Sequence, residues 1–293
     1  MATKDAQLIT MVCNKGGVGR STTAINVGWK LAELGLKTLV VDLDAQCNTS
    51  MTLAVQYDVD IAKSNRNLTA CISDERGTFF GYKVETRHSN LDLLGATIFL
   101  DETEETMKQQ ATPTHILQSK LDEETLKYYD YILFDTPPSK HSKLLHNALM
   151  ISDYYWYIIG SEDIWALDAR RIMDSVVSSI KKLNDKLLPL PILLTKFRSN
   201  VIQCQVMKQV CDDEFKSLAG VFHNTTRFTT QIGRSEAKRM SIYEYDRSQM
   251  VATDYSNITR EMITYIHSKK VADRLFDAPS TFKKRKMDRP PTK

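Results

Sequence analysis

Apolar and polar positions alternate along this chain in blocks of two kinds. Short solid runs, Leu8-Ile9 with Met11-Val12, Lys37 to Asp44, Leu91 to Ala96, Tyr131 to Asp135, Tyr154 to Ile159 and Ile192 to Thr195, have the length and β-branched content of buried strands. Between them lie helical patterns. Ala24, Val27, Leu31 and Leu34 recur at helical spacing until Gly35, the stretch from Glu102 to Leu126 is mostly helical across Pro113, and Ala166 to Leu183 continues the series. Strands alternating with helices predict an α/β fold, a doubly wound, mostly parallel sheet in a single large domain. Residues 56 to 90 are polar and predict short helices and loops. A last helix, about Asp254 to Lys270, carries Tyr255, Ile258, Met262, Tyr265 and Ile266 on one face. Core packing is the preferred reading of that stripe, with an amphipathic membrane contact as the sharper alternative.

Charge changes the picture at one end only. The net charge is +3, yet Lys283, Lys284, Arg285, Lys286, Arg289 and Lys293 stand against Asp288 alone, which leaves the body slightly acidic. With Pro279, Pro290 and Pro291 this predicts a disordered basic tail over 277–293 after a domain spanning 1–276. A nuclear address, a nucleic-acid arm and a solvated end all fit it. No apolar run approaches a membrane span, and residues 1 to 7 lack a signal-peptide core, so a cytosolic or nuclear compartment is expected. Cys13, Cys47, Cys71, Cys204 and Cys211 are scattered and without C-x-x-C spacing, so neither a disulfide framework nor a zinc site is indicated.

The chemistry concentrates between the first strand and the first helix. In Cys13-Asn14-Lys15-Gly16-Gly17-Val18-Gly19-Arg20-Ser21-Thr22-Thr23, glycines let backbone N–H groups turn toward a polyphosphate, the helix start adds partial positive charge, and Ser21 is placed to ligate Mg²⁺. The loop departs from G-x-x-x-x-G-K-[ST] at Arg20, where lysine belongs. With Lys15 ahead of the glycine pair it resembles the deviant Walker A loop, K-G-G-x-G-K-[ST], of the ParA/MinD family of P-loop ATPases. Further segments match in the order this resemblance requires. Asp42-Leu43-Asp44-Ala45-Gln46-Cys47-Asn48 resembles D-x-D-P-Q-G-N, with Ala45 for proline and Cys47 for glycine. Phe134-Asp135-Thr136-Pro137-Pro138 resembles the Walker B segment, Asn147-Ala148-Leu149 with Asp153 resembles N-A-L…A-D, and Ser235-Glu236-Ala237, followed by Tyr243-Glu244-Tyr245, resembles the S-E-A element and its neighbourhood.

The resemblance covers roughly residues 7 to 266 and implies an ATP-binding partition ATPase. It implies ATP and Mg²⁺ as cofactors, with Lys15, Gly16, Gly17, Val18, Gly19, Arg20, Ser21 and Thr22 cradling the nucleotide. Ser21 would be a direct metal ligand, Asp135 would hold Mg²⁺ through its water shell, Asp44 would orient the attacking water, Asp42 would support the loop and its lysine, and Thr22 would meet the α-phosphate. Lys15 would reach across an ATP-dependent homodimer to the partner's phosphates. Non-specific DNA binding, a centromere-binding partner protein that stimulates hydrolysis, a cytoplasmic, nucleoid-associated location and no membrane binding complete the expectation. Arg198, Arg227, Arg234, Lys238 and Arg239 are the DNA-contact candidates. The guanidinium of Arg20 is planar and wider than an ammonium, so nucleotide binding is expected to survive and turnover to be slow. That keeps open a nucleotide-gated regulatory or DNA-binding switch with weak or lost hydrolysis. A membrane positioner of the MinD type and a metabolic P-loop enzyme related to dethiobiotin synthetase are further alternatives.

Overall fold

The computed structural model describes residues 6–13, 15–109, 112–162, 166–216 and 219–277. Among the described residues, eight strands form one sheet: β1 (Gln7–Val12), β2 (Thr38–Asp42), β3 (Val84–Glu85), β4 (Leu91–Leu94), β5 (Tyr131–Asp135), β6 (Tyr154–Gly160), β7 (Leu188–Pro189) and β8 (Leu193–Thr195). Their order is β3-β4-β2-β5-β1-β6-β7, with β8 also on β6, and every pairing is parallel except β3 with β4. The expected α/β, mostly parallel, P-loop NTPase architecture is what the chain adopts. β7 pairs with the start of β6 and β8 with its end, so the two short strands are successive pieces of one edge. Leu190-Pro191 falls between them, and Pro191 has no N–H to give a ladder.

The helices are α1 (Arg20–Glu33), α2 (Asn48–Leu53), α3 (Leu68–Ser73), α4 (Phe79–Tyr82), α5 (Leu100–Lys108), α6 (Ile116–Lys120), α7 (Glu123–Tyr128), α8 (Lys143–Ile151), α9 (Ala166–Lys181), α10 (Ile202–Phe215), α11 (Thr230–Ala237), α12 (Ile242–Asp246) and α13 (Met250–Asp277), with a π-helical turn at Asp58–Ala62. Both faces of the sheet are covered, as period-two alternation along β6 shows. Tyr154, Trp156 and Ile158 enter a core shared with α1 and α13, while Tyr155, Tyr157 and Ile159 enter a second core with Leu145, Leu149, Met173, Val177 and Phe215. Helix α1 lies close on the sheet at Gly28, where an added Cβ would meet Val40 Cγ2 at 2.8 Å. It ends as a Schellman motif: Leu36 N–H donates to the Leu31 carbonyl and Gly35 N–H to that of Ala32.

Several expected elements change on folding. The run 102–126 divides into α5, α6 and α7; the Pro113 carbonyl accepts from Asn147 Nδ2 (2.7 Å), and Asp122 caps α7 by accepting from Thr125 N–H. The final helix starts at Met250, earlier than expected, and extends to Asp277. Its Tyr255, Ile258, Met262 and Ile266 are buried in the main core, so the stripe is packing and not a membrane face. Among the described residues, no helix is long and apolar enough to cross a membrane. The basic tail, apart from Asp277, lies outside the described residues.

Candidate functional site

The parallel arrangement delivers the C-terminal ends of β1, β2 and β5 to one edge, where doubly wound sheets place ligands. Asp42 and Asp135 end neighbouring strands and face each other in register. Above them the loop after β1 turns through Gly17 (φ 77°) and Gly19 (φ 90°), left-handed values that glycine adopts freely. A Cβ added at Gly17 would meet nothing within 4 Å, so crowding by the protein does not account for that glycine. Gly19 is the N-cap of α1 and offers no side-chain acceptor; Thr195 Oγ1 anchors the loop by donating to the Val18 carbonyl (2.5 Å).

Loop, strand ends and helix α11 enclose a cavity of about 600 Å³. Lys15, Gly16, Gly17, Val18, Gly19, Arg20, Ser21, Thr22 and Asp44, all expected at the nucleotide, line it; Asp42 and Asp135 lie beneath. A glycine-turned loop, an uncapped helix start, a serine hydroxyl, two carboxylates at strand ends and a third in the loop after β2 form a donor set that fits a nucleotide polyphosphate with Mg²⁺.

The carboxylates differ in surroundings. Fully buried Asp42 accepts from Asp44 N–H (3.1 Å) through one oxygen, and from Ser50 N–H (2.9 Å) and Ser50 Oγ (2.7 Å) through the other. It therefore ties the Asp44 loop to α2. Burial, followed by the charge of Asp135, pushes its carboxyl up to about 8, and the three donated bonds offset part of that. Asp44 is also raised, first by burial; its Oδ1 accepts from Gln46 N–H (3.0 Å). Asp135 Oδ2 accepts from Thr49 Oγ1 at 2.7 Å. Cys47, where the family pattern has glycine, holds the left-handed conformation (φ 56°) as N-cap of α2, so the chain keeps the turn at a cost of roughly 1 to 2 kcal/mol.

A family model described as an AAA domain matches residues 6–189. The sporulation initiation inhibitor protein Soj of Bacillus subtilis (strain 168) is 32% identical over 208 residues, covering 70% of this chain and 78% of Soj. The chain belongs to the ParA/MinD family of P-loop ATPases. The virulence plasmid ParA family protein pGP5-D of Chlamydia muridarum is 26% identical over 268 residues, 91% of this chain and 96% of that protein. Among solved structures, a putative plasmid partition protein of Borrelia burgdorferi B31 bound to AMPPNP shares the fold at a TM-score of 0.71 and 24% identity, over 90% of this chain and 99% of that one. Cobyrinic acid a,c-diamide synthase of Mycobacterium smegmatis with bound ADP and magnesium does so at 0.72 and 21%, over 90% and 96%.

Within this ParA-type site Arg20 is the departure, and its side chain does not simply stand in for a phosphate-facing lysine. Its guanidinium is buried and turned back on the strand ends: Nε to Asp135 Oδ1 (3.1 Å), Nη1 to the Cys13 carbonyl (3.4 Å) and Nη2 to Asp44 Oδ2 (3.4 Å). Thr22 likewise has a protein partner, since its hydroxyl donates to Glu236 Oε1 at 2.6 Å. The basic candidates separate into two kinds. Arg227 is held by Asp254 through Nε and Nη2, each at 2.7 Å, and lines the cavity; Arg198 pairs with Glu162 (2.8 Å) and stacks on the Phe228 ring at 3.7 Å. Arg234, Lys238 and Arg239 are exposed on α11 and the turn that ends it. Thr49, Ser50, Thr195 and Glu236 stand at the site without a role that the sequence pattern assigns them. The signal for the first two is the Asn48-Thr49-Ser50 run following the D-x-D segment.

Proposed function

We propose that this chain is a partition ATPase that binds ATP with Mg²⁺ in the cavity above Asp42, Asp44 and Asp135, dimerises on ATP, binds DNA non-specifically and helps segregate plasmid or chromosomal DNA. The observation that carries this reading is the meeting, at one sheet edge, of a glycine-turned loop with Asp44 and Asp135. Bound ATP would supply the γ-phosphoryl group and its negative charge, which Mg²⁺ and the donors of the site would neutralise. Lys15, the amides from Gly16 to Thr22 and the Ser21 hydroxyl are the groups that would hold them, with Asp135 behind the metal and Asp44 to orient a water. Lys15 reaches the partner subunit's nucleotide in this proposal, and a centromere-binding protein stimulates turnover. The kinship with the Chlamydia plasmid protein and with the chromosome-partitioning ATPases Soj of Treponema pallidum and Thermus thermophilus supports a role in DNA partition, and a nucleoid-associated, cytoplasmic location follows from that role.

The test is assembly gated by nucleotide. Light scattering should show a monomer without nucleotide and a dimer with ATP, and only the dimer should retain non-specific DNA on a filter. A mass and DNA retention unchanged by ATP would overturn the reading. The contact of Arg20 with Asp44 favours a second reading, a nucleotide-gated switch in which the carboxylate that would orient water is held by an ion pair and hydrolysis is weak or lost.

A further inference from the structure

Arg20 Nε lies 3.1 Å from Asp135 and Nη2 lies 3.4 Å from Asp44, while Nη1 bonds the carbonyl of Cys13 just beyond β1. One planar cation thus spans the ends of β1 and β5 and the loop after β2. Asp135 has no exposure to solvent and Arg20 only 6%, so this pairing stands in a place where an uncompensated carboxylate would be costly. An ammonium at the same helix position is a point charge on a shorter stem and cannot bond three divergent acceptors with one flat fork. The remaining oxygen of Asp135 is already satisfied by Thr49, and that of Asp44 by the Gln46 amide. Each carboxylate therefore gives its other oxygen to the guanidinium.

We propose that Arg20 is an internal cation that holds Asp44 and Asp135 in the nucleotide-free protein, so that nucleotide affinity depends less on Mg²⁺ here than it would with lysine in the arginine's place. This rests on the reading of the cavity as an ATP–Mg²⁺ site. Arg20 is then a positioning residue with two alternative sets of partners, Asp44 and Asp135 for as long as Mg²⁺ is absent and the phosphates once Mg²⁺ enters with the nucleotide. Asp135 would be open to a metal's water shell only once the guanidinium has left it. The net benefit of the metal to binding is reduced by the loss of that ion pair, because a ligand shifts an equilibrium only by its differential affinity for the two arrangements.

The experiment titrates a fluorescent, non-hydrolysable ATP analogue into wild-type protein and the Arg20→Lys variant, each with excess Mg²⁺ and with EDTA. Circular dichroism confirms that the variant is folded. For wild type, removing Mg²⁺ should weaken binding by about threefold or less, whereas for Arg20→Lys the loss should be about tenfold or more, a further 1.4 kcal/mol per tenfold. The same Mg²⁺ dependence in both proteins would overturn the proposal while leaving the nucleotide site standing. Absence of analogue binding under every condition would overturn the site and the proposal together. Asp44→Asn supplies a second measure, made by combining it with each residue at the arginine's position. By freeing one arm of the guanidinium it should strengthen Mg²⁺-free binding more in the wild-type background than in the Arg20→Lys background, and equal effects would count against coupling of the two residues.

Discussion

Thr22 and Glu236 meet across the mouth of the cavity: the hydroxyl from the first turn of α1 donates to a carboxylate oxygen from α11 at 2.6 Å. Thr22 belongs to the segment expected at the α-phosphate, so the carboxylate brings negative charge to the place where the proposed ligand brings its own. Glu236→Gln keeps the shape and removes the repulsion. Its affinity for ATP, by titration at fixed ionic strength, should rise by about threefold to tenfold, and equal or weaker binding would contradict the assignment.

Asp42 makes stability depend on pH in a definite direction. Its folded carboxyl is held up at about 8 against an ordinary value of 3.8. A carboxyl raised on folding contributes stability that is complete below 3.8 and lost as pH rises through about 8. Urea unfolding of wild type across that window should therefore lose at least about 1 kcal/mol more than Asp42→Asn does over the same range. Parallel curves for the two proteins would show that Asp42 is ionised in the fold.

The approach of α1 to β2 predicts a sharp local intolerance. An added methyl at Gly28 would lie 2.8 Å from Val40 Cγ2, inside a packed core, so Gly28→Ala should lower unfolding free energy by about 1 to 3 kcal/mol. The helical preference of alanine works in the opposite direction and is smaller, about 1 kcal/mol. A neutral or stabilising result by chemical denaturation would mean that the helix can move off the sheet cheaply.

The two kinds of basic residue should separate experimentally. Replacing Arg234 and Lys238 together by alanine should weaken non-specific DNA binding while the fold stays intact, and reduce the slope of log affinity against log salt by about 2. Arg227→Ala should act on the fold instead, because it strips Asp254 of a two-bond partner. Thermal unfolding beside filter binding distinguishes the two effects.

Much of this site was legible in the sequence for a physical reason: buried parallel strands are solid apolar runs, and their ends are marked by the first charged residue. The run Tyr131 to Asp135 coincides with β5 at both ends, and Asp42 and Asp135 stand at strand ends of this kind, whereas Asp44, at the end of the run Lys37 to Asp44, lies in the loop after β2. Helix α10 is hard to see in the sequence because its buried face is Cys204, Met207, Cys211 and Phe215, while Ile202 and Val206 are exposed and blur the stripe. Thr49 and Ser50 carry short polar side chains whose roles exist only once α2 folds back on the strand ends. The direction of the Arg20 side chain depends on three strand ends meeting, and no local pattern encodes that.

Turnover is the most direct measure of the central claim that these carboxylates and this loop make an ATPase site. ATP hydrolysis by purified wild type, with and without non-specific DNA, should be followed beside Asp44→Ala and Arg20→Lys. The account predicts slow wild-type hydrolysis, raised by DNA and removed by Asp44→Ala, with Arg20→Lys at least as fast as wild type. Wild-type protein that binds ATP but shows no hydrolysis above the Asp44→Ala background, with or without DNA, would contradict it and leave the nucleotide-gated switch in its place.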